Sequence, residues 1–481
     1  MIISTILILG CFLSVIILII TNKLNRAISS LLGAVITYFV LIFIEGYDFS
    51  IIVDLLFGTP SDGFVNLHSI ILILAMMMIV QIAHEAGTFQ FIAGKLIKLS
   101  RGKPVLLLII FCTVTVFISA ILNNILTVII IIPLTITVSR ILNINPSPYI
   151  LTQAVLVNIG GTLFSISSIP NILITTYANI EFFEFFLNIG TLSLIVFLFT
   201  LAFFILLYKS ELKVPTGGPK VLEEFNVWNV VQSRRLLYQS LISFVILMVL
   251  LIVIPSSLIS PDMIALSIAL ILIILTRLNP KDIISKVDLE LILYLLGIFI
   301  IAGGLEITGV TDAIGIALLN IGGVNLYLQL LILLWFSAYL SSCIDNIPIT
   351  KVLIPVADAM AGSVPLINRN KIFYSLAIGA NWGDNLTPLG DNILVVNIAE
   401  QNKRPISYKS FFKLGFVTTN YQLILISLYY TVVFNLIVGL IILGTVIFIM
   451  VIVIILHKFG PNKVISQINK ITKKIRDIII R

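Results

Sequence analysis

The chain has 481 residues, 59% of them hydrophobic and only 11% charged, with a mean hydropathy of +1.17. Soluble domains carry about 25% charged residues, so a water-soluble globular fold is excluded and an all-α polytopic membrane protein is expected. The net charge of +7 is spread over short loops and is not the footprint of a nucleic-acid binder.

Segments long enough to span hydrocarbon, about 20 apolar residues, recur along the chain. The first, 2–21, lacks a basic n-region and a small-residue cleavage site, so it reads as a retained helix and not a signal peptide. Spans follow at 28–45 and 66–86. The stretch 104–138 is apolar but interrupted by "ILNNIL", Ile121 to Leu126. Then come 150–178, 189–208, 239–257, 262–276 and 287–308. A second interrupted stretch, 326–360, carries "CIDNIP", Cys343 to Pro348, and spans at 371–398, 416–434 and 437–457 complete the series. The expected architecture is therefore about 11 transmembrane helices plus two re-entrant hairpins, 104–145 and 326–367. A cytoplasmic linker is expected at 209–238, and 458–481 reads as a basic amphipathic helix on the cytoplasmic leaflet.

The two interruptions are related. Asn124 and Asn346 stand 222 positions apart, as do Pro133 and Pro355, Gly87 and Gly309, and Gly161 and Gly383. Apolar coincidences are cheap in such a composition, but Gly, Asn and Pro matches at one offset indicate a duplication, 1–208 and 239–457. After Gly87 come Lys95, Lys98, Arg101 and Lys103, whereas the equivalent positions hold Ala317, Asn320, Gly323 and Asn325. The positive-inside rule places the first set in the cytoplasm and permits the second outside. Arg369 and Lys371 dissent, yet the remaining loops give an external N-terminus and a cytoplasmic C-terminus. Inverted repeats with broken helices are how secondary transporters are built, with their sites near the midplane.

The hairpin tips are Asn123-Asn124 and Asp345-Asn346. A carboxylate near the bilayer centre costs about 2.5–3.5 kcal/mol on insertion scales, and irregular backbone at that depth survives only where it lines a polar cavity. Each hairpin is followed by a span with its own break: "NIGGTLFSISSIPN", Asn158 to Asn171 within 150–178, and "GANWGDNLTPLGDN", Gly379 to Asn392 within 371–398. Glycines, then hydroxyls, then an asparagine leave free carbonyls and N–H groups, which suit cations and anions respectively.

Those residues carry a resemblance. "GKLIKLSRGKP", "SAILNNILTVIIIIPLTI", "NIGGTLFSISSIPNILI", "SSCIDNIPITKVLIPV" and "GANWGDNLTPLGDNILVVNIAEQ" resemble the citrate-transporter-like ion transporter superfamily. The nearest branch is similar to the melanosomal P protein, arsenite permeases and related Na+/H+ antiporters. The resemblance implies a homodimer in the cell membrane, each protomer with a scaffold and a transport domain that moves as an elevator. It implies that ion and substrate bind at Asn123, Asn124, Thr127, Gly160, Gly161, Thr162, Ser165, Asn171, Asp345, Asn346, Thr350, Asn385, Thr387 and Asn392. The chain departs from the family at the first tip, Asn-Asn where D-N is frequent, and at "SSIPN" where "GDPPN" is usual. Asp384 and Asp391 add acidity to the second half, where the family has mostly neutral residues.

Three carboxylates in one half with Lys351 as the nearest base leave excess negative charge, which a low-dielectric site holds only with cations or protons. Na+ or H+ is therefore the expected coupling ion, with Na+ at Asp345, Asn346 and Asp384, and Na+/H+ antiport is the leading function. A cation-coupled carrier of a small anion, a di- or tricarboxylate or an oxyanion such as arsenite, is the alternative. The bland readings are that the three aspartates cap half-helices, that Lys351 pairs with Asp345, and that Glu85 and Glu306 snorkel. A channel would need a continuous polar pore. An enzyme is not expected: no HExxH, GxSxG or P-loop occurs. Cys11, Cys112 and Cys343, like His68, His84 and His457, are too scattered for a metal or redox site, so no cofactor is expected.

Overall fold

The computed structural model describes residues 2–21, 23–209, 211–212, 227–388 and 392–445, together with Lys470, Lys474, Asp477 and Ile479. Asp391, most of the expected linker and most of the tail lie outside the described residues. Among the described residues there is helix and no strand. Nine helices are long and apolar enough to cross a membrane by length and composition.

The first six helices are α1 (Ile2–Ile20), α2 (Arg26–Ile44), α3 (Ser50–Phe57), α4 (Val65–Glu85), α5 (Thr88–Leu99) and α6 (Pro104–Ser119). They are followed by α7 (Asn124–Ile141), α8 (Ser147–Gly160), α9 (Ile169–Ala178) and α10 (Phe182–Tyr208). After the linker come α11 (Arg234–Val253), α12 (Pro261–Thr276), α13 (Leu289–Ile307), α14 (Val310–Gly322) and α15 (Leu326–Cys343). The last are α16 (Asn346–Gly362), α17 (Arg369–Gly383), α18 (Asn392–Gln401) and α19 (Tyr408–Phe434).

Four short helices, α3, α5, α14 and the turn Pro280–Ile284, were not foreseen, because they are too short to register as spans. The expected linker is also shorter than 209–238, since α11 begins at Arg234, capped by the Ser233 side chain. The expected span 416–434 begins at Tyr408. Pro133 and Pro355 lie inside α7 and α16 without ending them.

The order of elements recurs. Both α4 and α13 end in a glycine with left-handed backbone, Gly87 (φ 73°) and Gly309 (φ 76°), which no β-branched residue would adopt. Each is followed by a short helix, an arm, a tip and a second arm. The broken spans then cross the first arms at close range. A Cβ on Gly160 would lie 2.5 Å from the Val116 carbonyl oxygen, and one on Gly383 would lie 2.1 Å from that of Ala338. Val116 and Ala338 are again 222 positions apart. A smaller core joins α1, α2 and α3 to α13 and reaches Val352 of α16, while the larger core unites most of the remaining helices.

The crossing at Gly383 predicts a signed pair of effects. Gly383→Ala pushes a methyl into fixed backbone and should destabilise the protein by about 1–3 kcal/mol. Gly362→Ala, where nothing lies within 4 Å, should be neutral or stabilising by up to about 1 kcal/mol. Thermal unfolding of the purified protein in detergent checks both, and equal melting temperatures for the two variants would contradict the close crossing.

Candidate functional site

The first tip is built by asparagine chemistry. Asn123 is the N-cap of α7: its side chain accepts from the Leu126 N–H at 2.8 Å, and the Thr127 hydroxyl donates to its carbonyl at 3.0 Å. Asn124 is buried, and its Nδ2 donates to Oδ1 of Asn158 on α8. Ser119, on the other arm, donates to the Val157 carbonyl at 2.7 Å. The tip is thus stitched to the broken span beside it.

The second tip is built alike but charged. Ser341 donates to the Ala380 carbonyl at 2.6 Å, and Thr350 donates back to the Asn346 carbonyl at 2.6 Å. Asp345 stands at the N-cap of α16, yet its side chain makes no capping hydrogen bond. It accepts from the Tyr294 hydroxyl at 3.4 Å, while its Oδ1 is buried without a hydrogen-bond partner. The charge that acts on it is Arg26, whose guanidinium lies 5.9 Å over the Tyr294 ring and pairs with Asp288 and Glu290.

The broken spans satisfy one another across the two halves of the chain. Asn171, at the start of α9, donates to the Gly161 and Phe164 carbonyls (2.7 and 3.1 Å) and accepts from Asn381 at 2.8 Å. Asn392, at the start of α18, donates to the Asp384 carbonyl at 2.9 Å and to its carboxylate at 3.2 Å. Asn158 donates to Oδ1 of Asn385 at 2.7 Å and reaches Oδ2 of Asp384 at 3.4 Å. Asn385 in turn donates to the Val155 carbonyl at 2.8 Å. Thr162 accepts from the buried Trp382 indole at 3.0 Å, and Thr387 donates to the Ser342 carbonyl at 2.6 Å.

Several cavities border this network, and three of them bear on the predicted residues. A small one of about 20 Å³, room for one water-sized occupant, lies between the tips, lined by Asn123, Asn124, Ser168, Pro170, Asn346 and Ile347. A large one of about 530 Å³ is lined by Asp345, Asp384, Cys343, Lys23, Arg26 and Glu290 among others. The third, about 310 Å³, takes Ser165 away from the tips and sets it beside Thr175, His68 and Asp262.

The sequence-predicted residues therefore divide. Asn123, Asn124 and Asn346 converge on the small cavity, and Asp345 and Asp384 share the large one. Gly160 and Gly161 provide the close crossings; Thr127, Thr162 and Thr350 bond back to carbonyls of their own chain turns. Asp391 lies outside the described residues. The expected pairing of Lys351 with Asp345 is corrected: its ammonium donates to Asn66 Oδ1 at 2.7 Å and lies 5.0 Å over the Phe299 ring. The reason is geometric, because Lys351 follows the tip by more than a helical turn and points toward α4 and α13 instead. Glu85 is bound by Lys286 and Gln81 rather than free to snorkel. Sequence reasoning missed Asn158, the amide that joins the first tip to the second broken span. Its signal was an amide inside an otherwise apolar span, one position out of register with Asn381 of the second half.

Comparison with known proteins is consistent across the chain. The family described as "Citrate transporter" matches residues 16–379. A 46 kDa membrane protein of Mycobacterium leprae is 29% identical over 415 residues, 86% of this chain and 95% of its own. An uncharacterized transporter of Synechocystis sp. is 26% identical over 452 residues, 88% of this chain and 96% of its own. The P protein of Homo sapiens is 25% identical over 433 residues, 73% of this chain and 52% of its own length.

Removing the bridging amide tests the network without reference to transport. Asn158→Ala takes away the acceptor of Asn124 Nδ2 and the donor to Asn385 Oδ1 in the interior and should lower stability by about 1–3 kcal/mol. Asn124→Ala added to it should cost less than Asn124→Ala alone, a coupling of about 0.5–3 kcal/mol. Denaturation of the two single variants and the double variant measures it, and strict additivity would rule the bridge out.

Proposed function

The chain belongs to the citrate transporter family and is a membrane transporter; from that premise we propose that it is a secondary active carrier in which a cation at Asp345 and Asp384 is exchanged for protons. The observation that carries this reading is that both carboxylates line one cavity of about 530 Å³, and that Oδ1 of Asp345 is buried there without a hydrogen-bond partner. A buried carboxylate oxygen without a donor calls for a proton or a metal cation. Tyr294 supplies one donor and Arg26 is engaged by Asp288 and Glu290, so neither neutralises the site outright. Na+ is the proposed metal ion, and Na+/H+ antiport the proposed cycle.

A second reading has its own observation. The N-termini of α7, α9 and α16 converge on the small cavity at Asn123, Ser168 and Asn346. Converging helix N-termini favour an anion, so a small carboxylate or oxyanion carried with the cation is the alternative cycle.

In either case we propose an elevator movement of the hairpins and broken spans against the remaining helices, in a homodimer with an external N-terminus. The large cavity then opens toward the cytoplasm, because Lys23 and Arg26 stand at its edge.

Flux in proteoliposomes tests the site. Asp345→Asn and Asp384→Asn should each weaken the apparent Na+ affinity by about tenfold or more and flatten the pH dependence. Variants that lose only maximal rate, with unchanged Na+ and pH profiles, would reduce the aspartates to structural groups.

Cys343 tests the sidedness. It is exposed and lines the cavity beside Asp345, while Cys11 and Cys112 are buried. A charged, impermeant thiol reagent should block transport from the cytoplasmic side, and Cys343→Ser should be resistant. Block from the external side alone would invert the proposed orientation.

A further inference from the structure

The third cavity holds a group that the site above does not use. Asp262, in the first turn of α12, is 2% exposed, and its Oδ1 makes no hydrogen bond. Oδ2 lies 3.0 Å from Nδ1 of His68, in the first turn of α4. Both line the chamber of about 310 Å³, with Ser165 from the first broken span, Thr175 and Thr176 of α9, and Asp62.

No residue lines both this chamber and the cavity of Asp345. The C-terminal end of α4 is tied to Lys286, just before α13, and Glu290 of α13 lines the large cavity. His68 is at the opposite end of α4 from Glu85, roughly 25 Å away at 1.5 Å per residue.

We propose that the chamber is a second monovalent-cation site, in which Asp262 is the anionic ligand and His68 the competing proton carrier. The chemistry is a choice between two neutralising partners for one buried carboxylate. Protonated, the imidazolium at 3.0 Å supplies the positive charge itself. Neutral, His68 withdraws that charge, and Asp262 with the surrounding hydroxyl and carbonyl oxygens takes a hard cation such as Na+.

The other ionisable groups at this end of the packed helices are Asp54 of α3, Asp62, Tyr177 of α9, Glu181, which accepts from the Ser256 hydroxyl at 2.5 Å, and Lys351, which donates to Asn66 two residues from His68 and lies in the field of Glu306 and Asp62. No lysine or arginine is among the residues that line the chamber, so the local charge favours a cation. Ser165 links the chamber to the first broken span, and its occupancy is thereby open to the state of the hairpins.

Equilibrium binding of radioactive Na+ to the purified full chain tests this separately from the carrier cycle. In an Asp345→Asn, Asp384→Asn background, Na+ binding should persist and weaken as the pH is lowered. Adding Asp262→Asn should abolish the remaining binding. Adding His68→Gln should keep the binding and remove its pH dependence, which also guards against a misfolded Asp262 variant. No Na+ binding in the starting background, or binding indifferent to both further substitutions, overturns the chamber site while leaving the reading of Asp345 and Asp384 to its own flux test.

Discussion

Broken helices inside a membrane face a single constraint: every backbone group freed by a break must find a partner, since hydrocarbon offers none. This chain breaks its helices at two tips and two spans, and brings all the breaks together. Asn171 and Asn392 reach back to the carbonyls that their own spans leave open. Asn158 ties the first tip to the second broken span, and Asn381 ties the second broken span to the first. The carboxamide suits this position because one side chain both donates and accepts. The glycines serve the same end, letting broken spans approach the hairpin arms closely enough for Ser119 and Ser341 to close the seams.

Much of this was legible in the sequence because the breaks use residues that are rare in apolar spans. Asn123-Asn124, Asp345-Asn346 and the glycine at each left-handed turn stand out against a background of Ile and Leu. What remained hidden depended on which way a side chain points. Lys351 and Asp345 are near in sequence, but the helix turns the lysine toward Asn66 and Phe299. Asp262 was overlooked because it opens a span, where an acidic residue reads as ordinary helix-end chemistry. Only packing of α12 against α4 shows it beside His68. Asn158 was passed over because two of its partners, Asp384 and Asn385, come from the other half of the chain, and no periodicity encodes that.

The two halves are alike in backbone and unlike in charge. At the first tip an amide caps its own helix, and at the second the carboxylate in the same place leaves the cap unmade. That difference matters because a capping side chain is already satisfied and has nothing to offer a passing ion. Asp345 keeps one buried oxygen without a hydrogen-bond partner at the start of α16, while Tyr294, the field of Arg26 and the backbone N–H groups of Asn346 and Ile347 act on its carboxylate. In the proposed cycle the site releases its ion and so is not neutralised permanently by the protein, and the placing of Lys351 against Asn66 is consistent with that proposal.

Charge placement also bears on how the carrier turns over. The large cavity carries Asp345 and Asp384 with Lys23 and Arg26 at its edge; the opposite chamber carries Asp262 and His68. Between them the tips leave space for about one water-sized occupant. A channel would need polar groups in continuous file between the two cavities, but the intervening asparagines are spent on one another and on backbone carbonyls. In the proposed elevator those bonds would be exchanged together, and a network that changes as a unit moves as a rigid body more readily than it opens a pore. The same amides that make the broken helices tolerable in lipid thus favour a moving carrier over a static conduit.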